Sequence, residues 1–277
     1  MTLKSLDELA DFGFEWVEFD VAEETVADFW ARKDKIAKLC KERGLRIDNV
    51  TPYFPNLFNL DGALRKKAME GFVKGVQLAS FFDASLVMTN SYPPPIRTKG
   101  VDEMTNDNVS VEAPQKIMID KSFDWSEFWA ILVNGMKECN RICEEAGHRF
   151  CIEPFPGHAI ANTDSMLRLM DAVGSDNFGA VLDTASSHYQ KETVPLSIMK
   201  LAKQLFMVHV SDNDGLRNYH LTPGEGTIDW NGVLQALDIV NFSGCVSVDV
   251  RASPDKIDQE YVKTKRFLDK ALSPREG

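Results

Sequence analysis

The sequence predicts an α/β protein, a (β/α)8-type TIM barrel whose first strand is missing or atypical. Three observations carry that prediction. Helix-period and strand-period stretches alternate along most of the chain, the rhythm of a parallel sheet with helices outside. Four stretches, Cys151-Ile152-Glu153, Ala180-Val181-Leu182-Asp183, Met207-Val208-His209 and Val246-Ser247-Val248-Asp249, each end in a side chain able to hold a divalent metal. Those end residues lie 30, 26 and 40 positions apart, the size of one strand-helix repeat.

The elements follow in order. A helical pattern near 3–12, Leu3-Lys4-Ser5-Leu6-Asp7-Glu8-Leu9, opens the chain, followed by a strand near 14–19 and a helix near 24–43. A strand near 46–51, a helix near 60–82 and a strand near 85–90 continue the rhythm. It resumes with a helix near 124–146, whose stripe of Phe128, Leu132, Met136, Cys139 and Cys143 marks a core-facing side. Strands near 149–154, 179–183, 205–210 and 244–250 then alternate with helices near 163–173, 194–203 and 230–240, and a last helix near 255–272 closes the chain.

That is seven strands, where a closed barrel needs eight, and the first is the one lacking. An open seam, a strand supplied from elsewhere and a start set downstream of the natural one all remain open. An open seam exposes two strand edges, a route to association, and so favours a homo-oligomer. The segment near 91–122, with Pro93-Pro94-Pro95 and little periodicity, reads as a long loop at the barrel mouth: a lid, a partner contact or a disordered stretch.

At 277 residues and 44% hydrophobic, the chain suits one barrel domain, 1–277, since such barrels commonly have about 250 residues. With 42 acidic against 31 basic residues and a net charge of -11, it lacks the basic block a nucleic-acid groove or an anionic membrane surface requires. The clusters Arg65-Lys66-Lys67 and Lys263-Thr264-Lys265-Arg266 fall on helical patterns as solvated faces. No apolar leader or bilayer-length stretch stands in the sequence. Five cysteines without a CxxC pair fit a reducing cytoplasm rather than a disulfide framework.

Strands alternate their faces. Cys151 and Glu153 therefore share one side, as do Val181 with Asp183, Met207 with His209, and Ser247 with Asp249 and Arg251. On the opposite side Phe150, Ile152, Ala180, Leu182, Phe206, Val208, Val210, Val246, Val248 and Val250 face covering helices. A parallel barrel gathers the polar ends at one mouth, where catalytic groups sit. Two aspartates, a glutamate and a histidine suit Mn²⁺, Co²⁺, Mg²⁺ or Zn²⁺. The competing interpretation is a hydrogen-bonded polar layer.

The stretches Ile152-Glu153-Pro154, Leu182-Asp183-Thr184, His209-Val210-Ser211-Asp212-Asn213-Asp214, Pro223-Gly224-Glu225-Gly226-Thr227-Ile228-Asp229-Trp230 and Val248-Asp249 give the chain its resemblance to the xylose isomerase-like barrels. The likeness is to their sugar phosphate isomerase/epimerase superfamily and covers most of the sequence. It implies that Glu153, Asp183, His209 and Asp249 hold one divalent metal. Glu153 and Asp249 are then the candidate acid-base pair, on a small-molecule polyol substrate. Structural ligation alone is the plainer role for both.

The sequence departs from the family pattern in places. The last ligand is commonly Glu in the epimerases, and Asp249 is one methylene shorter. The histidine often found three residues after the second ligand is Ser186 here, with His188 two further on, a substrate contact or a helix cap. The earlier strand ends, Val50-Thr51-Pro52-Tyr53 and Met88-Thr89-Asn90, lack the extra histidines of endonuclease IV. Tyr53, Asn90, His188, His220 and Arg251 are the remaining candidate substrate contacts, with a surface loop the alternative for His220 and a salt bridge for Arg251. Glu225 shapes its glycine-rich loop. The expected activity is metal-dependent isomerisation or epimerisation of a small sugar, keto-sugar or cyclitol; a dehydratase or lyase and a non-catalytic barrel subunit are the alternatives.

Overall fold

The computed structural model describes residues 3–94, 97–99 and 116–272. In chain order the strands are β1 (Trp16–Ala22), β2 (Arg46–Tyr53), β3 (Leu86–Asn90), β4 (Arg97–Lys99), β5 (Lys116–Met118), β6 (Arg149–Glu153), β7 (Phe178–Asp183), β8 (Leu205–Val210) and β9 (Cys245–Val248). The helices are α1 (Leu3–Asp11), α2 (Val26–Arg43), α3 (Gly62–Phe81), α4 (Trp125–Glu145), α5 (Thr163–Val173), α6 (Thr184–Tyr189), α7 (Val194–Leu201), α8 (Trp230–Ile239) and α9 (Ile257–Leu272). Seven strands pair in parallel in the order β1-β2-β3-β6-β7-β8-β9, a nearly closed TIM barrel, while β4 and β5 form a separate antiparallel ribbon.

The seam lies between β1 and β9. Every residue of β7 and β8, flanked on both sides, is buried, whereas all four residues of β9 are only half-buried. A strand lacking a second neighbour keeps one edge and part of its faces open. A cavity of about 580 Å³ fills this place, lined by Trp16, Glu18 and Asp20 of β1, Val246 of β9, Asp249 and Tyr261 of α9. Across the seam, Ser247 Oγ donates to Glu18 Oε1 at 2.7 Å, and the rings of Phe14 and Tyr261 meet edge to face at 6.0 Å.

The period-two faces hold with one exception. Phe150, Ile152, Ala180, Leu182, Val208 and Val210 join the large core beneath the helices. Met88, Cys151, Val181 and Met207 pack in a smaller cluster inside the ring. Phe206, expected on the outer face with Val208, lies in the inner cluster instead. The register explains it, since Ala180 pairs with Leu205 and Val181 with Met207. Phe206 is the extra residue of a bulge, which turns a side chain from its regular alternation.

The expected strands and helices all form, their ends moved by a few residues. One helix was not anticipated: α6 begins directly after β7, and the Asp183 side chain caps it by accepting from Ala185 N at 2.8 Å and Ser186 N at 3.2 Å. The segment near 91–122 carries β4 and β5; residues 95, 96 and 100–115 of it lie outside the described residues.

Candidate metal centre

Register alone aligns the polar strand ends. Asn90 of β3 pairs with Glu153 of β6, Asp183 of β7 with His209 of β8, and His209 with Ser247 of β9. Asp249 follows immediately, its backbone N–H donating to Val210 O at 3.2 Å. Ligand-type atoms of Glu153, His209 and Asp249 all lie within 4.8 Å of one another, and so do those of Asp183, His220 and Asp249.

The imidazole of His209 stands between two carboxylates. Its Nδ1 is 3.5 Å from Glu153 Oε2 and its Nε2 is 3.5 Å from Glu18 Oε2. Burial disfavours a charged His209, but Glu18 and Glu153 outweigh it and hold the pKa well above the ordinary value. Burial pushes the Glu153 carboxyl up to about 7 despite His209, with Asp183 and Asp249 adding to the rise. Asp249 goes the other way: against its burial, His220, His209 and Arg251 hold it well below the carboxylate range.

His220 comes home from the loop after β8. An antiparallel bridge, Asp212 N to Leu221 O at 2.9 Å and Leu221 N to Asp212 O at 2.8 Å, folds the loop back over the strand end. The motif from Pro223 to Trp230 wraps around the buried Asp212, whose carboxylate accepts from Gly224 N at 2.9 Å, Ile228 N at 3.2 Å and Trp230 Nε1 at 2.8 Å. Gly226 is required by this wrapping, since a Cβ there would lie 2.2 Å from Asp212 Oδ1. Thus placed, His220 is buried, with Nδ1 3.1 Å from Asp249 Oδ2 and 3.8 Å from Asp183 Oδ2. Burial opposes its charge, but Asp183 and Asp249 raise its pKa to about 9.

The expected substrate contacts separate. Asn90 stands beside Glu153, and its Oδ1 is buried without a partner. Tyr53 stacks on Tyr92 with ring centroids 5.1 Å apart. His220 is not on a surface loop: it is buried among the carboxylates. His188 Nε2 meets Thr227 Oγ1 at 2.8 Å, which ties α6 to the loop after β8 and is not a cap at the start of a helix. Ser186 donates from Oγ to Asp183 Oδ2 at 2.9 Å. Arg251 is exposed and its Nε lies 3.9 Å from Asp249 Oδ1, the salt-bridge alternative.

Two inward acids of β1 were missed. In Trp16-Val17-Glu18-Phe19-Asp20-Val21, the apolar residues at 17, 19 and 21 are buried against the helices, so Glu18 and Asp20 face the ring. Asp20 is exposed on the cavity at the seam, and partial desolvation there with the neighbouring Glu18 charge raises its carboxyl to about 6. The alternation in the sequence carried that signal.

The residues present fit a hard divalent cation. Glu153 and His209 converge with Asp249 in one group, Asp183 and His220 converge with Asp249 in a second, and the ring nitrogens of His209 are buried without a hydrogen-bond partner, as ligand atoms are before they are engaged.

The xylose isomerase-like TIM barrel family matches residues 6–271. The chain belongs to this family. Among curated relatives, the inosose isomerase of Bacillus subtilis is 30% identical over 127 residues, 43% of this chain and 45% of that protein. An inosose dehydratase of Serratia proteamaculans is 24% identical over 250 residues, 82% of this chain and 77% of the relative. The matches to the first relatives span about half of their length. Among solved structures, D-psicose 3-epimerase with D-tagatose from Clostridium cellulolyticum H10 superposes with a TM-score of 0.76 at 18% identity, covering 98% of this chain and 93% of that one. The IOLI protein with a bound zinc atom gives 0.74 at 18% identity, covering 99% and 94%. Both share the fold.

Proposed function

We propose that this chain is a divalent-metal-dependent isomerase or epimerase of a small sugar, keto-sugar or cyclitol, with Glu153, Asp183, His209 and Asp249 holding the metal. The observation that carries this reading is the convergence of Glu153, His209 and Asp249 ligand atoms within 4.8 Å at one end of the sheet. The inosose isomerase, fructoselysine 3-epimerase and psicose 3-epimerase relatives support the substrate class.

When bound, a divalent cation polarises a carbonyl and lowers the barrier to losing the proton on the adjacent carbon. The chain's own groups then move that proton. Glu153 and Asp249 come from strands three apart around the ring, and their facing oxygens lie within 4.8 Å of one another. Glu153, buried at the end of β6 beside His209, suits the group that takes and returns the proton. Asp249, fixed by His220 and Arg251, suits a lasting anion or the second base. Asn90 offers its unpartnered Oδ1 to a substrate hydroxyl. A hydroxyl leaving beside the deprotonated carbon gives a dehydratase, a second reading favoured by the inosose dehydratase relative.

Metal content by mass spectrometry tests the site: about one ion per chain in wild type, lost in Glu153→Ala and His209→Ala. Ketoses and cyclitols are then incubated with the loaded protein in deuterated water. Deuterium uptake without loss of water supports the isomerase, and a conjugated ultraviolet-absorbing product supports the dehydratase. A folded chain that holds no metal and exchanges no proton is a non-catalytic barrel. A reducing compartment, supported by five cysteines without a disulfide, and a homo-oligomer, supported by the open seam and tested by light scattering, are part of the proposal. Among the described residues no helix is long and apolar enough to cross a membrane.

A further inference from the structure

His209 has a carboxylate at each ring nitrogen, and the two are of different kinds. Glu153, facing Nδ1, belongs to the cluster with Asp249. Glu18, facing Nε2, stands outside both groups of converging ligand atoms. A neutral imidazole carries one N–H, and the nitrogen that offers a lone pair to a metal must be the other one. With Nδ1 turned to the cluster, the proton belongs on Nε2, aimed at Glu18.

Glu18 is itself held. Its Oε1 accepts from Ser247 Oγ at 2.7 Å and its Oε2 from Asn49 Nδ2 at 3.1 Å. The Asn49 contact depends on a register shift, in which Val17 pairs with Ile47 but Glu18 with Asn49, and this brings the fully buried Asn49 inward opposite Glu18. Asn49 is fixed in turn by donating to Thr51 Oγ1 at 3.0 Å. With both oxygens held by donors from β9 and β2, Glu18 is fixed with Oε2 3.5 Å from His209 Nε2.

We infer that Glu18 is a positioning residue that fixes the ring orientation and tautomer of His209 from behind, presenting Nδ1 to the metal, with Ser247 carrying this support across the seam. This rests on the reading of Glu153, His209 and Asp249 as a metal site. Carboxylates behind a ligating histidine are worth 10- to 100-fold in metal affinity.

The test is titration calorimetry of Zn²⁺ into metal-stripped wild type, Glu18→Ala, Glu18→Gln, Ser247→Ala and Glu153→Gln. Long-range ¹H–¹⁵N spectra of the zinc-loaded wild type accompany it, with the His209 signals assigned by their loss in His209→Gln. The expected result is affinity about 10- to 100-fold weaker in Glu18→Ala, partly restored in Glu18→Gln and weakened a few-fold in Ser247→Ala. His209 in wild type carries its proton on Nε2. Wild-type affinity in both Glu18 variants, or a proton on Nδ1, overturns the role of Glu18. If Glu18→Ala does not fold, Glu18→Gln and the wild-type spectrum decide. Binding abolished in Glu153→Gln but intact in the Glu18 variants rejects this role and leaves the metal reading standing; a wild type that binds no zinc overturns both.

Discussion

His220 Nδ1 lies 3.1 Å from Asp249 Oδ2, with the histidine side chain fully buried and the aspartate 30% exposed. This contact anchors the shortened last acid of the cluster. Replacing His220 by Ala removes the partner and leaves a partly buried charge. Such truncations cost about 2–5 kcal/mol, and the lower end applies because water still reaches Asp249. Urea unfolding of His220→Ala reads this directly, and a loss below about 0.5 kcal/mol contradicts the anchoring.

The glycine-rich motif makes two different demands. At Gly226 an added Cβ meets Asp212 Oδ1 at 2.2 Å and Asn213 O at 2.4 Å, whereas at Gly224 it meets nothing within 4 Å but inherits a φ of +90°. Crowding of a packed site costs about 1–3 kcal/mol, and a left-handed residue about 1–2 kcal/mol. Gly226→Ala therefore displaces the Asp212 carboxylate from Trp230 Nε1 and shifts the tryptophan emission. Gly224→Ala loses stability alone, with the emission unchanged.

Stability falls on the acid side in part through His158. Its Nδ1 contacts Ser91 O at 2.6 Å, and burial lowers its pKa from 6.5 to about 4 in the fold. Between those values the unfolded chain binds more protons than the folded one, so this contribution is present above pH 6.5 and is lost as pH falls towards 4. His158→Asn, which keeps a donor for Ser91, shows a shallower decline of melting temperature over that window than wild type. Parallel curves refute the assignment.

Metal should stabilise the fold by mass action. At a hundred times the dissociation constant the gain is about 2.7 kcal/mol, visible as a rise in melting temperature that a chelator reverses. In Glu153→Gln the rise disappears, while the metal-free melting temperature stays equal to or above that of wild type, because an acid is removed from a crowded acidic cluster. Scanning calorimetry with and without chelator distinguishes the two.

The legible parts of this structure were those written in local periodicity. Glu153, Asp183, His209 and Asp249 each end a short alternating stretch, so their shared side followed from counting by two. Glu18 ends no such stretch. Its alternation with Val17 and Phe19 was readable, but its partner Ser247 is 229 residues away, and its pairing with Asn49 depends on a register shift. Phe206 escaped for the same reason, its face being set by a bulge against β7. At six residues, α6 is too short to show a helical period. His220 was visible as a residue but not as a neighbour of Asp249, because a two-residue bridge, Asp212 to Leu221, decides where its loop returns.

The gap between β1 and β9 divides the acid-bearing strands. β6, β7 and β8 are each laddered on both sides and carry Glu153, Asp183 and His209. Glu18 and Asp20 ride on one lip of the gap and Asp249 on the other, each strand tied to the sheet along a single edge. The barrel is thus joined across the gap by side chains and not by rungs of the sheet: Ser247 bonds Glu18, Phe14 meets Tyr261, and His209 faces Glu18 from within the ring.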